Sequence, residues 1–222
     1  MKAFRIKINS WTSSFRYPNL MSAFQPSLEV PPISTVMGLI NAAAGFYLDN
    51  REIQIGYYFK YNCKSVDLES IYQISLHKTK NEKYPDNMVI SNILQREFLY
   101  DCELYLYITD EIIMSFFCQP VHQLLLGRSG DLASIESIEE IELTEINNAR
   151  IAGQVIPFNG NYLPGQIQAL PKYFSNTIPR KNIGTEPYSV ISYNNPINTQ
   201  LTGYRPSLEE FDSDIYVHKF SI

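Results

Sequence analysis

Two short segments of the chain combine residues that suit phosphate binding. In the first, Phe15 and Arg16 follow a run of hydroxyl side chains. Arginine pairs with phosphate through a forked hydrogen-bond geometry, and a phenylalanine ring can stack on an exposed base. In the second, Gly127, Arg128 and Ser129 follow an apolar run. Glycine lets the main chain approach a phosphate closely, and the arginine and serine can donate to it. Both segments therefore predict contacts with a phosphate-bearing ligand.

A third candidate is the start of a predicted helix, where Ser34 and Thr35 follow two prolines. Ser34 is a suitable N-cap, and the free backbone N–H groups and the dipole of a helix start attract anions. The alternative is simple capping, since every capped helix has these features. A similar alternative applies to the first segment, with Phe15 in the core and Arg16 on the surface. The sequence leaves both alternatives open.

The fourth candidate is a basic hairpin at about residues 71–96, which carries His77, Lys78, Lys80 and, at its end, Arg96. A protruding basic hairpin can hook over single-stranded nucleic acid and wedge between bases. The alternative is that the lysines are solvated and discourage edge-to-edge aggregation.

Motifs that would indicate an enzyme, a metal site or a cofactor are missing from the sequence. The three histidines have no metal-ligand spacing, and Cys63, Cys102 and Cys118 form no Cys-x-x-Cys pair. There is no phosphate-binding loop of nucleotide hydrolases, no dinucleotide-binding glycine motif and no nucleophile elbow. We therefore expect no catalytic residues, no metal and no cofactor, and a reducing cytoplasm suits the odd number of thiols.

The charge is unevenly distributed. The chain of 222 residues has 18 Lys and Arg and 23 Asp and Glu, a formal net charge of −5. Residues 1–100 carry 11 basic and 8 acidic residues, a net of +3, and the remainder carries 7 and 15, a net of −8. The acidic excess around Asp131–Glu145 indicates a solvated face or a surface for a basic partner. An acidic total argues against non-specific binding to duplex DNA but allows a local groove for a few nucleotides.

No apolar run approaches the roughly 18 residues that a membrane span needs, and the first residues alternate as a strand rather than forming a signal-peptide core. Hydrophobic periodicity predicts the following elements: a strand at Lys2–Ile8, a helix from Ser34, a strand at Ile53–Asn62, a hairpin of Ile71–Lys78 with Met88–Leu94, a strand at Phe98–Ile108, a helix at Asp110–Gln119 and an edge strand at Ile138–Leu143.

With the hairpin set aside as an insertion, the order is β-α-β-β-α-β. This order is typical of an α+β, ferredoxin-like fold with an antiparallel sheet and the helices on one face. We predict a ferredoxin-like RNA-binding domain at 1–145, with a thumb hairpin at about 71–96, and a C-terminal β-rich extension at 146–222. The extension has strand-like pieces at Tyr188–Ser192 and Ile215–Phe220.

The order of the motifs is more specific than each motif alone. They are Ser13-Ser14-Phe15-Arg16, Val30–Leu39 running into Ala42–Gly45, Gln95–Leu99 and Leu126–Ala133. In this order the chain resembles the CRISPR-associated Cas-five family, a subunit of the type I Cascade surveillance complex, and it is most similar to the type I-B branch. The resemblance covers residues 1 to about 145.

The resemblance implies an RRM-related (RAMP-type) ferredoxin-like core, binding of the 5′ handle of mature guide RNA (crRNA) and a position at one end of the Cascade backbone in antiviral defence. It implies a Cas-seven-type backbone subunit and the large subunit as partners, indirect contact with target DNA, and a cytoplasmic, membrane-free location. The handle-facing positions are Phe15, Arg16, Ser34, Thr35, His77, Lys78, Lys80 and Gly127–Ser129, to which the basic hairpin adds Arg96.

One branch of that family, in type I-C systems, cuts precursor guide RNA without a metal. Such cleavage needs an acid, a base and a cation around the scissile phosphate. His77 and Lys78 could supply part of this set, so a metal-independent endoribonuclease is the alternative function.

Overall fold

The computed structural model describes residues 1–20, 23–48, 52–74, 89–208 and 211–221. Within them, two helices pack with mostly antiparallel strands, which confirms the predicted α+β class. In chain order the elements are β1 (Lys2–Ser13), β2 (Phe15–Arg16), β3 (Phe24–Gln25), β4 (Ser27–Leu28), α1 (Ile33–Ala44), β5 (Glu52–Ile74), β6 (Val89–Ile108), α2 (Glu111–Cys118), β7 (Ala133–Ile146), β8 (Arg150–Ile151), β9 (Gln154–Pro157), β10 (Gln166–Phe174), β11 (Asn182–Ile191), β12 (Ile197–Asn198), β13 (Gly203–Pro206) and β14 (His218–Ser221).

The main sheet has the strand order β13-β7-β1-β6-β5-β14, and every neighbouring pair along this path is antiparallel. The short strand β3 pairs in parallel with β6. Along the chain, α1 lies between β1 and β5, and α2 lies between β6 and β7. The two helices therefore connect strands that are not adjacent in the sheet.

Strand β6 shows how the sheet separates two layers of the core. Leu104, Leu106 and Ile108 pack in the large cluster that also contains the buried residues of α1 and α2. Tyr105 and Tyr107 point to the opposite face, where they pack with residues of β7 and the C-terminal region. This follows from the two-residue repeat of a strand, and it confirms the alternation predicted for this segment.

The long hairpin is built from two continuous strands where the sequence predicted four shorter ones. Strands β5 and β6 stay in one register from the pair Ile55 and Ile108 to the pair Ile74 and Val89. The break expected after Asn62 is absent, because the backbone pairing bridges the polar residues there. The basic residues predicted for the tip, His77, Lys78 and Lys80, lie outside the described residues.

Two helix starts were predicted, and one of them is corrected. Asp110 caps α2, and its carboxylate accepts hydrogen bonds from the backbone N–H groups of Ile112 (2.7 Å) and Ile113 (3.3 Å). Ser34 does not cap α1: the N-cap is Pro32, no side chain caps this helix, and Ser34 lies in its first turn. The preceding prolines already hold the extended backbone that an N-cap residue needs.

The segment predicted as a short edge strand is the longer strand β7, which lies between β1 and β13. The C-terminal region also contributes β14 to the other end of the main sheet, and β10, β11 and β9 form a separate three-stranded sheet. The division of the chain at residue 145 stays a prediction.

Candidate functional site

Seven of the eleven residues predicted for ligand contact line one cavity of about 440 Å³. They come from β2, the start of α1, β6 and the loop between α2 and β7: Phe15, Arg16, Ser34, Thr35, Arg96, Gly127 and Arg128. Ser129 does not line the cavity, and His77, Lys78 and Lys80 lie outside the described residues. Segments far apart in the sequence therefore meet at one place.

Gly127 allows the loop between α2 and β7 to reach the cavity. Its φ of +128° lies in a region that side-chain-bearing residues rarely adopt. A Cβ added there would lie 2.5 Å from the backbone oxygen of Ser14 and 2.9 Å from its nitrogen. The main chain of the loop thus packs directly on the segment that leads into Phe15 and Arg16, while the predicted approach of this glycine to a phosphate stays a prediction.

Arg128, which was predicted to donate to a phosphate, already has an acceptor within the loop. The carboxylate of Asp131, which is 1% exposed, accepts from the backbone N–H of Arg128 at 2.8 Å and from its Nε at 3.1 Å. It also accepts from the Thr12 hydroxyl at 2.7 Å. The hydrogen bonds and the charge of Asp131 raise the pKa of Arg128. The guanidinium of Arg128 therefore holds the loop together, and Asp131 compensates its charge.

Arg96 is also paired with a carboxylate. Its Nε donates to Glu69 across the β5–β6 hairpin, and the residue is buried. Arg16, in contrast, is exposed, and its Nη2 lies 3.5 Å from the side-chain oxygen of Gln25. Among the described residues that line the cavity, Arg16 is thus the arginine without a carboxylate partner, and an anion in the cavity would meet its charge first.

The stacking role predicted for Phe15 is corrected by its burial. The ring is 2% exposed and packs edge-on against Phe59, with ring centroids 5.4 Å apart. Its backbone N–H donates to the Ser27 hydroxyl at 2.9 Å. Phe15 therefore anchors β2 in the core and holds the adjacent Arg16 at the cavity, and its ring is closed to a base.

The first turn of α1 forms another part of the wall, with Ser34 and Thr35 half-buried. The Thr35 N–H donates to the Pro32 carbonyl oxygen at 2.8 Å, while no side chain caps the helix. The N–H of Thr35 is thus engaged, and the hydroxyls of Ser34 and Thr35 are the donors that this end of the helix brings to the cavity wall.

Sequence reasoning missed the part of the wall that the C-terminal region supplies. Leu170, Pro171 and Phe174 of β10 line the cavity, and Phe174 is 38% exposed. Strand β10 packs against α1, and Leu170 lies in the main core. The alternating pattern of residues 166–174 is a signal for a strand, but no local motif places it beside α1.

In the part of the chain that the structure describes, no group of three His, Cys, Asp or Glu side chains has the geometry to hold a metal ion. Among the same residues, no helix is both long and apolar enough to cross a membrane.

Solved chains of CRISPR complexes share this fold. A chain from a CRISPR RNA-guided surveillance complex is 14% identical, with 90% of this chain and 91% of that chain covered and a TM-score of 0.56. A chain from the Type III-B Cmr-beta complex bound to cognate target RNA and AMPPnP is 11% identical, with 88% and 86% covered and a TM-score of 0.56. Neither a family model nor a curated protein matches the sequence.

Proposed function

We propose that this chain is a non-catalytic RNA-binding subunit of a CRISPR surveillance complex, and that its cavity holds part of the 5′ handle of mature guide RNA. The observation that carries the proposal is the convergence of Arg16, Ser34 and Gly127 on one cavity. These residues belong to motifs whose order along the chain resembles that of a handle-binding family. The fold shared with a chain from a CRISPR RNA-guided surveillance complex supports the same conclusion.

Within this proposal we assign the chain to the Cas-five family, in its type I-B branch, with a ferredoxin-like core. The sheet supports this assignment. The chain order β1-α1-β5-β6-α2-β7 and the spatial order β7-β1-β6-β5, with all neighbours antiparallel, are those of the split βαβ arrangement. The region of β8 to β14 is then an addition to this core.

The side chains of the cavity favour contact with a few phosphates over binding along an extended basic groove. Arg16 can pair with one phosphate, and the hydroxyls of Ser34 and Thr35 can donate to the neighbouring oxygens. Arg96 and Arg128 are neutralised by their own carboxylate partners. Few phosphates are thus bound, which agrees with the acidic total charge and predicts a shallow salt dependence.

The partners follow from the same proposal. They are the guide RNA, a Cas-seven-type backbone subunit and the large subunit, with target DNA reached indirectly through the complex. The subunit would cap one end of the backbone in the cytoplasm and contribute to antiviral defence. The hairpin of β5 and β6 would direct the RNA toward the adjacent backbone subunit.

The alternative function is a metal-independent endoribonuclease that uses His77 and Lys78. Both residues lie outside the described part of the chain, and no observation on the described residues favours cleavage. Incubation of the purified protein with repeat RNA in EDTA separates the two functions. We expect uncut RNA, and specific cleavage that His77→Ala abolishes would establish the enzyme instead.

Binding of repeat-derived RNA, measured by fluorescence anisotropy at several salt concentrations, tests the role of the cavity. Arg16→Ala should weaken binding and lower the slope of log affinity against log salt by about 0.7, the value for one phosphate contact on a single strand. Lys219→Ala removes the same charge from an exposed position on β14 and is the matched control. Equal affinity and slope for the two variants would refute the assignment.

A further inference from the structure

The cavity has two chemically different ends. Arg16 and the first turn of α1 supply cationic and hydroxyl groups, whereas Leu170, Pro171 and Phe174 supply an apolar wall. A nucleotide has a similar division, with an anionic phosphate at one end and at the other a flat base whose faces stack on aromatic and apolar side chains. Sites that hold small ligands combine an apolar lining with a few polar groups in the same way.

From this division we propose that the cavity takes one unstacked nucleotide of a single strand, with the base against the ring of Phe174 and the phosphate at Arg16. The inference rests on the proposed function and deepens it. It names the aromatic residue that carries base stacking and limits the cavity to a single nucleotide.

Phe174 is suited to this role because its ring is accessible and its backbone is held. The residue is 38% exposed, in contrast to the buried Phe15 on the other wall. Leu170 and Phe174 lie four residues apart on β10 and therefore share a face of the strand. Leu170 is fixed in the core, and Phe174 pairs with Asn182 of β11. The ring is thus presented to the cavity by an ordered strand.

The limit to one nucleotide follows from size and charge together. A volume of about 440 Å³ lies near the lower end of the roughly 300–1,000 Å³ of small-molecule sites. Arg16 is the lining arginine without a carboxylate partner, so the described wall offers one uncompensated cation for one phosphate. One accessible ring and one such cation match one base and one phosphate.

The test uses the full-length protein and single-stranded RNA oligomers of about six nucleotides, a length within the range that small binding folds cover. Each oligomer carries the fluorescent base 2-aminopurine at one position, and its fluorescence reports stacking. Phe174→Ala should weaken binding roughly 5- to 150-fold, the range for loss of one stacked base, and should abolish the quenching at one position. Phe174→Tyr keeps the ring and should retain both signals.

Ile178→Ala is the matched control, because Ile178 is fully exposed on the same β10–β11 hairpin and does not line the cavity. It should bind as the unchanged protein does. If Phe174→Ala binds normally while Arg16→Ala binds weakly, the stacking role is wrong and the proposed function stands. If Phe174→Ala, Phe174→Tyr and Ile178→Ala lose affinity equally, the effect is structural and the inference is also wrong. Unchanged binding in both Arg16→Ala and Phe174→Ala would overturn the proposed function itself.

Discussion

Arg128 and Asp131 form a two-point ion pair inside the loop that begins at Gly127. Nη2 of Arg128 lies 3.0 Å from Oδ1 of Asp131, and Nε lies 3.1 Å from Oδ2. The backbone N–H of Arg128 donates to the same carboxylate. Main-chain amides and a guanidinium often form a cradle for an external anion, but here a side chain of the loop itself occupies it. The loop therefore forms a wall of the cavity, and the ion pair within the loop stabilises its conformation.

The first prediction concerns this carboxylate. Asp131→Asn should lower the free energy of unfolding by about 2–3 kcal/mol, because the charge that accepts the Arg128 hydrogen bonds is lost at a buried position. Thr12→Val is the graded control, since it removes one hydrogen bond to Asp131 and should cost about 1 kcal/mol. Urea unfolding monitored by far-UV circular dichroism measures both. Equal losses would show that the ion pair adds nothing to the hydroxyl contact.

The second prediction compares two glycines of the same loop. Gly127→Ala should destabilise the protein by about 2–3 kcal/mol, because the added Cβ meets the Ser14 backbone and the positive φ disfavours alanine. Gly130→Ala places its Cβ where no other atom lies within 4 Å, so it should leave the unfolding midpoint nearly unchanged. Thermal unfolding of the two variants checks the difference. A similar shift for both would contradict the packing described for Gly127.

Local patterns in the sequence predicted the parts of the fold that depend on local physics. The alternation at Leu104, Tyr105 and Leu106 follows from the strand repeat, and the Asp110 cap follows from hydrogen bonding within one helical turn. The prediction that Ser34 caps α1 was wrong, because Pro32 is the N-cap residue of this helix. The continuity of β5 and β6 was missed because cross-strand pairing overrides the polar residues that suggested breaks.

The sequence partly predicted which residues meet at the cavity. It did not predict which of their charges are compensated. The order of the motifs indicated that Arg16, Ser34 and Gly127 act together. The sequence did not reveal that Asp131 and Glu69 neutralise two of the arginines, because those pairs depend on tertiary geometry. Phe174 was missed for the same reason, since nothing near it in the sequence encodes the packing of β10 on α1.

The third prediction concerns the acidic segment of β7, which was expected to face solvent or a basic partner. Glu139 pairs with the buried guanidinium of Arg5, and Glu140 pairs with the exposed Lys2 across the β1–β7 ladder. Glu139→Gln should lower the free energy of unfolding by about 1–2 kcal/mol, because the buried guanidinium of Arg5 loses a charged acceptor. Glu140→Gln, in the same strand, should have no measurable effect, since exposed pairs contribute little.

Chemical unfolding at low salt measures the difference between these two variants. If Glu140→Gln lowers the free energy of unfolding as much as Glu139→Gln does, burial of Arg5 is not the reason why its pair with Glu139 stabilises the protein. Because these glutamates already have partners within the chain, charge reversal at Glu139 should affect stability before it affects association with other subunits.

The fourth prediction concerns His218, which is buried with its ring stacked between those of Tyr57 and Phe220. Burial lowers the pKa of this imidazole from 6.5 to about 3. Between these two pH values the unfolded chain binds a proton that the folded chain does not, so stability falls as the pH falls. The loss should be about 1.4 kcal/mol for each pH unit below about 6.5.

His218→Phe keeps a ring in the stack and removes this titration. The unfolding free energies of wild type and variant can be measured in urea from about pH 8 to about pH 4. Their difference should be constant above about pH 7 and should shift in favour of the variant below it. Parallel curves for the two proteins over the whole range would show that the imidazole is protonated in the folded state as readily as in the unfolded chain.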